Sequence, residues 1–285
     1  MSEVAKIYME KFGLDQRPFS LVPDPDFLFW SPGHRRAYTM LEYGLYTGAP
    51  ITLISGDVGI GKTTLLHHLL KQVGEDITIG LIANAHGGRG DLLRWVLMAL
   101  DQTTTPESSY VDLFKQFQTF LIEEYAEGRK VVLIFDEAQN LDRETLEELR
   151  MFTNINANKD ELLQLILVGQ PELRTLVRRP DLTQFAQRIA ASFHLSAMDE
   201  ATVTEYIHHR MERAGAERRI FTPEATSRIF GATQGIPRLV NQLADFALIY
   251  ASSDDLDEVD GTTIENVLRD GVFFAGVLRL ENAVI

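Results

Sequence analysis

The stretch Ile51-Thr52-Leu53-Ile54-Ser55-Gly56-Asp57-Val58-Gly59-Ile60-Gly61-Lys62-Thr63-Thr64 decides the fold. A short β-branched apolar run leads into a complete G-x-x-x-x-G-K-[ST] pattern, and a helix-forming segment, Lys62–Val73, follows it. Glycines in such a loop let backbone N–H groups wrap phosphate oxygens, and the positive end of the next helix adds to the attraction. Gly56, Asp57, Val58, Gly59, Ile60, Gly61, Lys62, Thr63 and Thr64 are the expected nucleotide contacts. Lys62 is placed to reach the β- and γ-phosphates of ATP and the Thr63 hydroxyl to hold Mg²⁺.

Outward from this loop, short apolar strands alternate with amphipathic helices. Ile51–Ser55, Ile77–Ala83, Val131–Phe135, Leu163–Val168 and a short Phe193–Leu195 read as strands. Helices are expected at Asp91–Leu100, Leu113–Tyr125 and Arg143–Phe152. This alternation implies an α/β fold with a parallel sheet covered by helices on both faces. Upstream, a helix is expected near Gly33–Gly48, and Pro18, Pro23, Pro25 and Pro32 make residues 1–33 turn-rich. After Leu195 only helices are expected: Val203, Tyr206, Ile207 and Met211 share one face, and Pro223–Phe230, Pro237–Tyr250 and Thr262–Asp270 follow. The expected division is an N-terminal segment with the first helix at 1–48, an αβα core at 49–195, a small helical domain at 196–270 and an apolar tail at 271–285.

A chain of 285 residues suits a core domain with a smaller companion, and 45% apolar residues exclude wholesale disorder. With no cysteine there is no disulfide, thiolate metal site or thiol nucleophile, which fits a reducing compartment. Apolar runs such as Val131–Phe135 and Gly271–Leu278 fall far short of the roughly 20 residues of a spanning helix. Met1–Met9 has no basic start and no apolar core, so a soluble, cytoplasmic protein is expected. The net charge of −14 opposes binding of polyanions such as DNA unless a local patch reverses it. Arg174, Arg178 and Arg179, then Arg210, Arg213, Arg218 and Arg219, are the basic concentrations. Glu212 and Glu217 interrupt the second, which favours helix salt bridging. The acidic run Asp254, Asp255, Asp257, Glu258 and Asp260 reads as a solvated loop, and the pairs His67–His68 and His208–His209 point in different directions, which rules out bidentate metal sites. Gly271–Leu278 is expected to dock on the helical domain, an exposed partner-binding segment being the alternative.

Asp136-Glu137 directly follows the strand Val131–Phe135. As a bare pair it could equally cap a helix. Combined with the phosphate loop it reads as chemistry: Asp136 in the Mg²⁺ shell, Glu137 orienting and deprotonating an attacking water. Gln170 follows the fourth strand, where it could touch the γ-phosphate or the water, or make only a loop hydrogen bond. Asn84 follows the second strand and could reach Glu137. Charge on a transferring phosphoryl group calls for an arginine, but spacing alone does not choose among 27 basic residues.

Several blocks, in order, resemble the AAA+ ATPases of the ExeA (general secretion pathway protein A) type. They are Lys11-Phe12-Gly13-Leu14 with Pro18-Phe19, Pro23-Asp24-Pro25, Gly33-His34-Arg35, Asp136-Glu137-Ala138-Gln139-Asn140-Leu141, Leu146-Glu147-Glu148-Leu149-Arg150, Val168-Gly169-Gln170-Pro171-Glu172-Leu173 and Gly235-Ile236-Pro237-Arg238. The resemblance covers nearly all of residues 8–270 and implies an AAA+ phosphate-loop core on a five-stranded sheet with a C-terminal helical lid. It implies that Gln170 is the sensor-1 residue, that Arg238 contacts nucleotide from the lid, and that Arg188 acts as an arginine finger on a neighbour's ATP. Ala186 stands where members of the family commonly carry a basic residue, two before the finger. The N-terminal segment would help enclose the adenine. ATP/ADP and Mg²⁺ are then the ligands, and a homo-oligomer, ring or filament, is the working form. The resemblance to short relatives linked to exopolysaccharide or pilus systems implies a switch or motor that assembles or remodels an envelope-associated complex, located peripherally to the inner membrane through its partners. The same family is similar to DNA-bound regulators of transposition that polymerise on DNA, which is the alternative function and is disfavoured by the net charge.

Overall fold

A computed structural model of the chain describes residues 3–22, 24, 27–83, 91–157 and 160–274. The strands are β1 (Ile51–Gly56), β2 (Ile77–Ala83), β3 (Lys130–Asp136), β4 (Asn156–Ala157), β5 (Asp160–Glu161), β6 (Leu163–Gly169) and β7 (Ile189–Leu195). The helices are α1 (Glu3–Phe12), α2 (Pro32–Thr47), α3 (Lys62–Gln72), α4 (Asp91–Ala99), α5 (Tyr110–Ala126), α6 (Arg143–Phe152), α7 (Pro171–Val177), α8 (Thr183–Ala186), α9 (Glu200–Arg213), α10 (Pro223–Thr233), α11 (Pro237–Ser253) and α12 (Gly261–Arg269). The chain divides into two compact units, one of Arg35–Val58 and Leu65–Leu195, the other of Met1–His34, Gly59–Thr64 and Ser196–Ile285.

The first unit carries a five-stranded parallel sheet in the order β2-β3-β6-β1-β7. Hydrophobic run length predicts position in it. Every residue of β1 and β6, and Val131–Phe135 of β3, is buried, as strands covered on both faces must be. The edge strands β2 and β7 are only partly buried. β7 spans seven residues rather than the short Phe193–Leu195 expected, because its alternation of exposed and buried residues at the sheet edge hides the first half of the strand. On one face α4, α5 and α6 bury Leu93, Val96, Phe117, Leu121, Leu149 and Phe152. α2 lies so close to β1 that a Cβ on Gly44 would meet the Thr52 hydroxyl oxygen at 1.9 Å.

The second unit is a helical core of Val203, Ile207, Ile229, Leu243, Ala247 and Ile264, from α9 to α12. Its surprise is the N-terminal segment. Residues 1–33 were expected to lack long elements, yet α1 runs from Glu3 to Phe12, since the first proline comes only at Pro18. Tyr8, Phe12, Phe19 and Phe27 are buried in this core. Tyr8 donates to an Asp245 carboxylate oxygen at 2.8 Å, and Arg17 donates to the other oxygen at 2.6 Å. Arg210, expected in a solvated salt-bridging cluster, is instead buried. Its guanidinium lies 4.8 Å from the centre of the Phe27 ring, and its Nε donates to the Pro18 carbonyl at 2.5 Å. The acidic run is likewise more than a solvated loop: Asp255 pairs with Lys11, and Asp260 accepts the Thr263 N–H to cap α12.

The closeness of α2 to β1 gives a direct test. Gly44→Ala should cost about 1–3 kcal/mol of unfolding free energy through overpacking against Thr52, measured by urea denaturation. An unchanged midpoint would mean that α2 does not approach β1 as closely as described.

Candidate nucleotide site

The loop after β1 is held open by two left-handed glycines, Gly59 with φ +77° and Gly61 with φ +102°. Glycine alone adopts such angles without strain, and a turn of this kind gathers backbone N–H groups into an anion-binding concavity. Both glycines also make room for a neighbour. A Cβ on Gly59 would meet the Arg238 Cβ at 2.7 Å, and one on Gly61 would meet His34 Nε2 at 2.8 Å. The Arg238 N–H, in the first turn of α11, donates to the Gly59 carbonyl at 3.1 Å. His34, in the first turn of α2, bonds the Ile60 carbonyl through Nε2 at 3.1 Å. Lys62 is the first residue of α3 and is buried, while Thr63 and Thr64 are half-buried. A buried cation at the N-terminus of an 11-residue helix, beneath a glycine-made cradle, fits a polyphosphate.

In the sheet unit, β6 alone separates β1 from β3, so Gly56, Asp136 and Gly169 all end strands on the same carboxyl edge. Glu137 follows Asp136 with φ 54° and ψ 37°, a left-handed conformation that is costly for a residue with a side chain. Its own N–H donates to Asp136 Oδ1 at 2.9 Å. Its carboxylate accepts from the side-chain amides of Gln139 at 2.6 Å and Gln170 at 3.1 Å. Gln139 is the centre of this network, because its Oε1 also accepts the Gln170 backbone N–H at 2.9 Å. Gly169 permits it: a Cβ there would come within 2.8 Å of Gln139 Oε1.

Of the residues read from the sequence, Asp136, Glu137 and Gln170 therefore share one strand edge, and the loop starting at Gly56 leaves from that same edge. Arg238 meets the loop by its backbone and its Cβ, and its side chain is exposed. Arg188 lies elsewhere. It precedes β7, whose first residue, Ile189, is level with Ile51 at the start of β1. Five residues of strand, about 17 Å at 3.3 Å each, separate that level from Gly56. Its guanidinium donates to the Thr153 carbonyl at 3.1 Å and to Asn154, beyond the end of α6. Burial raises the Glu161 carboxyl, against the pull of the Arg188 charge. Asn84 and residues 275–285 of the apolar tail lie outside the described residues. Two contributors, His34 and Gln139, carried no assigned role in the sequence. Ser31-x-x-His34 at a helix start is a capping pattern that could have drawn attention to the first, whereas no spacing rule points to the second.

A model of the AAA domain family matches residues 46–177. General secretion pathway protein A of Aeromonas hydrophila is 38% identical over 245 residues, covering 86% of this chain and 45% of that protein. The chain thus spans about half the length of this curated relative. Among solved structures, the Aeropyrum pernix ORC2 protein in its ADPNP-ADP complexes superposes with a TM-score of 0.65 at 20% identity, covering 90% of this chain and 71% of that one. The Thermotoga maritima RuvB Holliday junction branch migration motor gives 0.52 at 16% identity, covering 85% and 70%. These last two likenesses concern the fold. No helix among the described residues is long and apolar enough to cross a membrane. Motif order, sheet topology and the 38% identity agree, and the chain belongs to the AAA+ ATPases of the general secretion pathway protein A type.

Proposed function

We propose that this chain binds and hydrolyses ATP with Mg²⁺, and that it works as an oligomeric switch that assembles or remodels an envelope-associated complex of the secretion, exopolysaccharide or pilus kind. The observation that carries the ATPase reading is the shared strand edge: the glycine-rich loop leaves β1 there, and Asp136-Glu137 leaves β3, with only β6 between the two strands. Backbone N–H groups of Gly56–Thr64 and the Lys62 amine bind the phosphates. The Thr63 hydroxyl and Asp136 are the residues that would hold Mg²⁺, which when bound neutralises charge on the phosphate oxygens. Glu137 takes the proton of the attacking water, and Gln170 orients that water or the γ-phosphate. Asp101, Gln234 and Asp255 share the left-handed backbone of Glu137, so the support for its role is its place just past the strand edge and the two glutamine amides that fix its carboxylate. Arg238 contacts nucleotide from the helical domain.

Arg188 supports an oligomer. Within the sheet unit it lies level with the start of β1, about 17 Å of strand from Gly56, and on the proposed reading it acts on a neighbour's ATP. The envelope-complex role rests on the secretion-pathway relative alone.

The first experiment is ATP turnover against protein concentration, with light scattering to follow assembly, with and without double-stranded DNA. Turnover should rise with assembly and ignore DNA, Glu137→Gln should keep ATP binding and lose hydrolysis, and Lys62→Ala should lose tight binding. Turnover that depends on DNA would move the protein to the DNA-bound class; full hydrolysis by Glu137→Gln would remove Glu137 as the base.

A second test isolates Arg188. Arg188→Ala should lose turnover by on the order of a thousandfold with little change in affinity for ATP. Mixing it with Glu137→Gln should restore activity, because an intact site then meets an intact arginine across an interface. A mixture as inactive as its components would reject action between copies.

A further inference from the structure

The loop's Ile60–Gly61 peptide is gripped by a buried pair that none of the expected roles uses. Ser31 and His34 are 5% and 6% exposed, and their side chains meet at 2.7 Å between Ser31 Oγ and His34 Nδ1. Ser31 Oγ also accepts the His34 backbone N–H at 3.2 Å, which fixes the start of α2. On the far side of the ring, Nε2 lies 3.1 Å from the Ile60 carbonyl oxygen. A carbonyl can only accept, so Nε2 carries the proton and donates, and Nδ1 then accepts from the Ser31 hydroxyl in the neutral ring. Burial keeps the imidazole basicity low, in agreement with that neutral form.

We propose that His34, oriented by Ser31, is a positioning residue for phosphate binding: it pins the Ile60 carbonyl and thereby aims the Gly61 N–H for the nucleotide phosphates. The inference rests on the nucleotide-binding reading of the loop. In a trans peptide the C=O and N–H point to opposite sides, and the described residues contain no cis bond. Holding the Ile60 oxygen against the imidazole therefore turns the Gly61 N–H away from His34. Gly61 is the residue immediately before Lys62, where a loop N–H stands beside the helix start. The same residue shows how close the grip is, since any side chain at 61 would collide with the imidazole at 2.8 Å. The strictness of glycine at this position thus follows from φ +102° and from His34 together. A histidine that merely filled space would not need a donor aimed at a backbone oxygen, nor a buried hydroxyl to select its tautomer.

The test is the affinity for ADP, by titration calorimetry, of the wild type, His34→Leu, His34→Gln and Ser31→Ala, each with its melting temperature measured without nucleotide. Glutamine can present an amide N–H near the Nε2 position, whereas leucine fills the space without a donor. His34→Leu should weaken ADP binding about tenfold, the upper range of one neutral hydrogen bond, and His34→Gln should stay within about threefold of the wild type. Ser31→Ala leaves the ring in place without its tautomer partner and should weaken binding about threefold; it decides the matter if His34→Leu fails to fold. Wild-type affinity in His34→Leu overturns the proposal, as does an equal loss in the leucine and glutamine variants that tracks their melting temperatures. Wild-type affinity in Ser31→Ala, where that variant decides, also overturns it. If the wild type itself does not bind ADP, the nucleotide-binding reading fails and takes this inference with it; if the wild type binds and the variants bind equally well, only the inference fails.

Discussion

The burial of β1, β6 and β3 on both faces is the constraint from which the rest follows. Strands covered on both sides hold a polar side chain only where it finds a hydrogen-bond partner, as Ser55 and Gln164 do, so groups that must meet a ligand fall where the strands end. Parallel pairing then brings those ends to one edge. Gly56, Asp136 and Gly169 are neighbours there because the chain crosses over between strands each time, and the residues that follow them form the candidate site. The sheet gathers the solvent-facing polar groups of these strands at one edge.

What happens just past that edge is decided by close approach. Glu137 is held in a left-handed conformation, its carboxylate fixed by two glutamine amides. Gln139 reaches both Glu137 and the backbone of Gln170 because residue 169 has no side chain to stop it. In the loop, Gly59 and Gly61 give space to Arg238 and His34 in the same manner. The glycines of this molecule thus matter twice, through the angles they adopt and through the neighbours they admit.

Sequence and structure part company along the same line. Strands β1, β3 and β6 were legible because a run of Val, Ile and Leu between turn residues has few other destinations in a globular chain. The glycine-rich loop was legible because its spacing is fixed, whereas the Asp136-Glu137 pair drew attention only in combination with that loop. The first half of β7 was not, since its exposed positions dilute the apolar signal. Nor was α1, whose Tyr8 and Phe12 find their burial against α11 and its neighbours more than two hundred residues away. Arg210 illustrates the limit best: on charge pattern it belongs to a solvated helix face, yet Phe27 and the Pro18 carbonyl from the distant N-terminal segment make its burial favourable. A partner remote in sequence leaves no local trace.

Charge raises the last question, because on the proposed reading a protein of net charge −14 has to hold a polyphosphate against its own field. Two carboxylates, Asp136 and Glu137, stand on the strand edge from which the phosphate loop departs. On the proposed reading the local arrangement answers the global sign with short-range terms: oriented N–H dipoles of the loop, the positive end of α3 and the buried Lys62 amine. None of these depends on long-range attraction, which salt screens within about 8 Å at physiological ionic strength. Asp136 is the acid that would hold a divalent cation on that reading, and the cation's charge would offset the repulsion between the acids and the phosphates. On the proposed reading, a site built from backbone dipoles and one enclosed lysine would hold a compact anion by short-range terms, whatever the sign of the chain's net charge.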